Sequence, residues 1–257
     1  MPTKEWQGKS GLNAHADFVM QTDHSYGQVF KALKENGLLG NTLVICSADN
    51  GTSARTSNMD ELKSKGHFPS AGLRGSKADL WDGGHRVPFI VSWKGHVEAG
   101  SKSDKLVCLT DLLATAADVV GAELPASEGV DSISMLPLLT GKGEHQRGDV
   151  IHHSISGFFS IRQGKWELLL TPRPEVAAKK GEPMIQLYDM EADLGEQNNL
   201  AAKMPEKVKE LRALLENQIV QGRSTVGAAQ NNDVAIDVEK LSRFKQKAKK
   251  NAKKKSK

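Results

Sequence analysis

The chain has 257 residues, 38% of them apolar and 26% charged, enough for one good core, or a medium core with a satellite, and too apolar for a disordered class. Its formal charge of +4 is local, since eight lysines and no acid lie between Lys245 and Lys257 and the remainder carries −4, which argues against a specific nucleic-acid partner. No apolar stretch approaches the roughly 18 to 20 residues of a membrane span, and Met1 to Trp6 lacks the basic start and apolar run of a signal peptide, so any export signal is expected to lie outside these residues.

In chain order, residues 17–36 place Phe18, Met20, Val29, Phe30 and Leu33 among polar residues, with Gly37 as a stop, which predicts an amphipathic helix. Residues 41–47 are a short β-branched apolar run, the pattern of a strand buried on both faces of a parallel sheet. A polar, glycine-punctuated region from Gly51 to Gly84 follows, too long for a plain connection inside a compact domain. Val87 to Trp93 reads as a second buried strand with Pro88 near its start, and residues 106–120 as a helix ended by Gly121. Cys46 sits in the first strand and Cys108 in this helical pattern; buried thiols are expected, with a disulfide as the alternative.

From Val150 the texture changes to short alternating strands at 150–153, 158–162, 166–170 and 185–188, with Gln163-Gly164 as a hairpin candidate. A helix over 205–221 carries a Val208, Leu211, Leu214, Leu215, Ile219 stripe suited to one face of that sheet. The terminal lysines have no apolar residue larger than alanine beside them and predict a solvated tail, the alternative being a salt-sensitive contact with an anionic polymer.

Two clusters carry chemistry. Asp49 and Asn50 follow the first strand at its carboxyl end, where open α/β sheets place their ligand crevice. Adjacent carboxylate and carboxamide oxygens suit calcium or magnesium, although Asn50-Gly51 is equally compatible with a plain type I′ turn. Gly72, Gly75, Gly83 and Gly84 then bracket Arg74, Lys77, Asp79, Asp82, His85 and Arg86. Glycines admit close backbone approach and a lysine can hold an anionic oxygen as a point charge; a loop of solvated charges remains the alternative. His67, His85 and His153 are candidates to line a substrate pocket or, equally, surface or capping residues. Arg86 is expected to pair with a carboxylate, and Trp6, Trp81, Trp93 and Trp166 to act as packing anchors.

These stretches, Ser47 to Gly51 and Gly66 to Trp93, together with residues 110–115, 122–125, 131–139, 161–170 and 187–200, resemble the later part of the formylglycine-dependent sulfatases, bacterial arylsulfatase-like members in particular. The resemblance runs from about Thr3 to Gln221. It implies an alkaline-phosphatase-like α/β core over 1–148, a small antiparallel-sheet α+β subdomain over 149–222, and a linker with the lysine tail over 223–257. It also implies a hydrolase of aryl or carbohydrate sulfate esters, with Asp49 and Asn50 as two calcium ligands and Lys77 as a sulfate contact. His67, His85 and His153 would line the pocket, and the family's setting is periplasmic or secreted.

The departure from the family pattern is that its Cys/Ser-x-Pro-Ser/Ala-Arg motif is absent, since none of the nine prolines has a Cys or Ser two residues before it. The early Asp-Asp pair that completes the calcium site in the family is missing as well. The expectation is therefore a piece of a longer sulfatase, inactive in isolation, with a separately made N-terminal half as one conceivable partner. The alternatives are a non-catalytic binder of sulfated polymers and a phosphoryl-transfer relative in the alkaline phosphatase superfamily.

Overall fold

The computed structural model describes residues 1–171 and 183–238; the lysine tail lies outside them. The chain divides into two compact units, Met1–Asp104 with Pro137–Glu144, and Lys105–Leu136 with His145–Lys257.

In the first unit, helix α1 spans Ala14–Glu35. It starts three residues before the pattern suggests because Asn13 caps it, its Oδ1 accepting from His15 and Ala16 N–H at 3.1 Å each. Asp17 holds the preceding turn, accepting from Gly8 N at 2.7 Å and Ser10 N at 2.8 Å. Hydrogen bonding from the Ser10 side chain, then from these amides, keeps its carboxyl below the usual carboxylate range. The amphipathic stripe is present, but Phe18, Met20 and Val29 are 45%, 40% and 53% exposed, so the described residues leave most of that face uncovered.

Strands β1 (Val44–Ser47) and β2 (Phe89–Ser92) form a two-stranded sheet, and here the structure corrects the sequence expectation. They pair antiparallel, Val44 opposite Ser92 and Ser47 opposite Phe89, and neither is fully buried, Ile90 being 64% exposed. A continuous apolar run reports burial tendency but not strand direction, and only the partner strand decides which is made. Between the strands lie the short helices α2 (Ala54–Ser57), α3 (Met59–Ser64) and α4 (Asp82–His85).

In the second unit, the expected helix over 106–120 begins only at Leu112: a 3₁₀ turn, Leu109–Asp111, precedes α5 (Leu112–Val120). The reason is Asp111, which is fully buried. Its carboxylate accepts from Cys108 N at 2.9 Å, Ile133 N at 2.9 Å and Arg147 Nε at 2.7 Å, and also from Arg147 Nη2. Arg147 is buried too, donating to Asp131 O at 2.8 Å and Asp149 O at 3.0 Å. One ion pair thus ties residues 108, 131, 133 and 149 together. Helix α6 (Leu136–Thr140) follows, and from Pro137 it belongs to the first unit.

Strands β3 (Asp149–His153), β4 (Phe159–Gln163), β5 (Trp166–Leu170) and β6 (Ile185–Asp189) form an antiparallel meander in that order. Gly164 takes φ +54 in the two-residue β4–β5 turn, a demand that favours glycine. Phe159, Ile161, Leu168, Leu170 and Leu187 on one face bury against Leu211 and Leu215 of helix α7 (Pro205–Gln221), with Val208, Leu214 and Ile219 packed around them. The expected stripe is therefore the core contact.

Residues from 223, expected as linker, are instead held as far as Asn232. Arg223 is buried and donates to the carbonyls of Ala126 at 3.1 Å, Thr225 at 3.0 Å and Ala228 at 2.9 Å. Ser224 and Thr225 N–H both reach Val130 O, and Asn232 donates to Ile219 O at 2.6 Å. Hydrogen bonds rather than apolar burial order this stretch, which is why composition did not reveal it.

Removing one partner of a buried ion pair strands the other charge, so Asp111→Ala should cost about 3–5 kcal/mol, while a double Asp111→Leu, Arg147→Met change should recover most of that loss. Urea denaturation of the three proteins measures both.

Candidate functional site

The site is built where two loops of the first unit meet. The chain leaves β1 through Ala48 into Asp49-Asn50-Gly51-Thr52, and the lysine loop runs from Gly72 to α4. Gly51 N donates to Gly84 O at 2.9 Å, and Lys77 N donates to Thr52 O at 2.9 Å. A Cβ on Gly51 would stand 1.9 Å from Gly83 O. On Gly83 it would be 2.4 Å from Arg74 O, and on Gly84 2.4 Å from Asp79 O. Three glycines therefore permit a backbone-to-backbone approach that any side chain would prevent. The structure brings Asp49, Asn50 and Lys77 onto one cradle.

The donors there are in usable states. Asn50 Nδ2 donates to Gly51 O at 3.0 Å, which fixes the carboxamide and leaves Oδ1 as the acceptor. Asp49 is exposed, and among the described residues it has no hydrogen-bond or ion-pair partner. The loop's cations are sorted by partner. Arg86 pairs with Asp82 at 3.1 Å, as expected, and Arg74 lies 4.3 Å from the Trp81 ring centroid. Lys77 is exposed, and among the described residues its ammonium has no partner.

His85 is half-buried with Nε2 2.7 Å from Leu80 O. A carbonyl only accepts, so Nε2 carries the proton, and this nitrogen serves the turn. His67 is exposed, its N–H donating to Leu62 O at 2.9 Å. The loop it begins joins the cradle through Thr52 Oγ1, which donates to Pro69 O at 3.4 Å. His67 also acts on His15, whose pKa is lowered by burial first and by the charge of His67 second. His153, at the end of β3 in the second unit, packs edge-on against the Phe159 ring at 4.3 Å. Trp93 stacks on His96 at 3.9 Å, beside a cleft of about 390 Å³ that His96, Glu98 and Leu138 help to line at the opposite end of β2 from the cradle.

Sequence reading missed Thr52, whose carbonyl and hydroxyl join three loops, because an isolated threonine in a polar stretch carries no signal. Asp79 was named there only as one charge of the glycine-rich cluster, although its Ser-x-x-Asp spacing is that of a side-chain-closed turn.

The Sulfatase family model matches residues 2–122, and the model described as N-sulphoglucosamine sulphohydrolase, C-terminal, matches residues 76–225. An N-acetylgalactosamine-6-O-sulfatase of Bacteroides thetaiotaomicron is 32% identical over 225 residues, covering 84% of this chain and 44% of that protein. Human arylsulfatase A is 31% identical, covering 90% of this chain and 49% of that protein. A solved B. thetaiotaomicron sulfatase, from work on the metabolism of multiple glycosaminoglycans, superposes with a TM-score of 0.75 at 31% identity, covering 83% of this chain and 46% of that chain. A Pseudoalteromonas sulfatase at TM-score 0.66 and 24% identity, covering 88% of this chain and 47% of that one, shares the fold. The chain thus spans about half the length of the relatives it matches.

Two predictions follow from this geometry. Gly83→Ala should cost several kcal/mol because the colliding atoms are backbone, while Gly72→Ala, with open space at its Cβ, should be near neutral; thermal melts of both variants check this. Because the folded pKa of His15 lies below 6.5, its protonation opposes the fold. That penalty is absent above the unfolded pKa and grows as pH falls through it. Melting temperature should therefore drop between about pH 7.5 and 5.5, and His15→Gln should reduce the drop.

Proposed function

The chain belongs to the sulfatase family, and from that premise we propose that it supplies one side of a sulfuric ester hydrolase site, with Asp49 and Asn50 as metal ligands and Lys77 as the sulfate contact. The observation that carries this reading is the pair of hydrogen bonds, Gly51 to Gly84 and Lys77 to Thr52, that fixes two oxygen donors and an ammonium, unpaired among the described residues, on one cradle. Sulfatases generally use a divalent cation; both donors are oxygens, which suits calcium or magnesium, and the family resemblance favours calcium. The set fits in kind. In number it supplies two to four of the six to eight oxygens that calcium takes.

Bound there, calcium would supply positive charge to the oxygens of the sulfate group. The chain's own contributions are positional: Asp49 presents a carboxylate with no competing cation among the described residues, Asn50 presents Oδ1, and Lys77 offers its ammonium to a sulfate oxygen. His67, His85 and His153 are the remaining pocket candidates; His85 has Nε2 2.7 Å from Leu80 O and Nδ1 4.0 Å from the Asp82 carboxylate. The nucleophile is not among these 257 residues. The substrate class is an aryl or carbohydrate sulfate, as the names of the relatives suggest.

In this reading residues 1–148 are the later part of the catalytic domain, 149–222 the small subdomain, and 223–257 the trailing segment. A complementary half carrying the missing carboxylates and nucleophile is the proposed partner. The exposed stripe on α1 and the half-covered, two-stranded β1–β2 sheet support it, since uncovered apolar faces and open sheet edges mark association surfaces.

The isolated, calcium-supplemented chain should release no sulfate from a nitrophenyl sulfate, because loss of a nucleophile costs on the order of 10⁶ in rate, and its calcium affinity should be weaker than about 1 mM. Mixing with the N-terminal half of the B. thetaiotaomicron relative, bearing formylglycine, should restore hydrolysis that Lys77→Ala removes. Turnover by the chain alone, or a Lys77→Ala mixture as active as the parent, sinks the assignment.

A further inference from the structure

Lys77 occupies an unusual backbone. Residues Ser76 to Asp79 form a β-turn closed by Asp79 N donating to Ser76 O at 3.0 Å. The third residue, Ala78, has φ +85. This is the pattern of a type II turn, whose third position favours glycine. A residue with a Cβ is disfavoured there, and such strain persists only where the surroundings over-determine it.

They do so here from several sides. The Asp79 carboxylate reaches back over the turn, Oδ2 accepting from Ser76 N at 3.0 Å and from Ser76 Oγ at 3.4 Å. Gly84 packs on the turn's carbonyls, so that a Cβ there would meet Asp79 O at 2.4 Å and Ser76 O at 2.9 Å. Gly75, at φ +80, has the Trp81 Cβ 3.1 Å and the Asp79 Cβ 3.2 Å from where its own would stand. Lys77 N is in turn pinned to Thr52 O. Two residues from Lys77 stands an acid that could neutralise it, yet that acid is engaged with Ser76, and Lys77 keeps an unpaired ammonium among the described residues.

We propose that Asp79 and Ala78 are positioning residues for Lys77: the carboxylate clamp on Ser76 and the left-handed Ala78 fix the direction in which the lysine leaves the backbone and keep its charge available to an oxyanion. The inference rests on the reading of Lys77 as a sulfate contact. Strain here is coupled to function in one direction only. Relaxing it should make the protein more stable and the anion site worse.

The test is titration of the 257-residue protein with inorganic sulfate, chloride serving as the ionic-strength control, read by amide NMR shifts of residues 49–52 and 76–79 alongside melting temperature. Lys77→Gln should abolish the sulfate-specific shifts. Asp79→Ala should weaken binding roughly tenfold, the order expected for a misdirected contact. Asp79→Asn, which keeps an acceptor for Ser76, should stay within about twofold of the parent. Ala78→Gly should raise the melting temperature by a few degrees while weakening sulfate binding several-fold, a pairing of opposite signs that a merely structural role would not produce. Parental affinity in both Asp79→Ala and Ala78→Gly overturns the positioning role and leaves Lys77 as the contact. Equal tightening in Asp79→Ala and Asp79→Asn overturns it too, because Asp79 then acts only as a charge. Absence of any Lys77-dependent sulfate response in the parent protein overturns both readings.

Discussion

The close approach of Gly51 to Gly83 and Gly84 is the constraint on which the site depends. At 1.9 Å from a backbone oxygen there is no room for a Cβ, and without that approach the loop after β1 and the lysine loop would separate by at least a side-chain thickness. The hydrogen bonds from Gly51 to Gly84 and from Lys77 to Thr52 could not then form together. Two oxygen donors and an ammonium drawn from residues more than 25 positions apart become neighbours because three positions carry no side chain.

Charge is handled by the same economy. Two acids of the lysine loop are given other work: Asp82 holds Arg86, and Asp79 holds Ser76. Asp49 is left without a cation and Lys77 without an anion among the described residues, although each sits on the same cradle. In the second unit the opposite choice is made. Asp111 and Arg147 are paired and buried, and their role is to hold three chain segments in register.

The uncovered surfaces fit the coverage of the relatives. Phe18, Met20 and Val29 on α1 and Ile90 on β2 are exposed, while the second unit buries a conventional sheet-on-helix core. The second unit also exposes apolar side chains, Val120 at 76% and Ile155 at 86% among them, so uncovered apolar surface is not confined to the unit that carries the cradle, and the chain spans about half the length of the relatives it matches.

Sequence alone determined the elements whose signals are local. The Leu211–Leu215 stripe predicted its own packing partner, the Gly121 stop was read correctly, and the order of motifs from Ser47 to Leu200 identified the family. It also established that the nucleophile motif is absent, since that is a statement about residues and not about geometry. Tertiary structure alone decided the rest, because the deciding contacts are long-range. β1 and β2 pair antiparallel because each found the other, Asp111 truncates a helix because Arg147 reaches it from 36 residues away, and Arg223 orders a polar stretch by finding the Ala126 carbonyl. Asp49, Asn50 and Lys77 were legible as donors from their chemistry; that Thr52 joins them, and that Asp79 serves Ser76 instead of Lys77, depends on distances that no local pattern encodes.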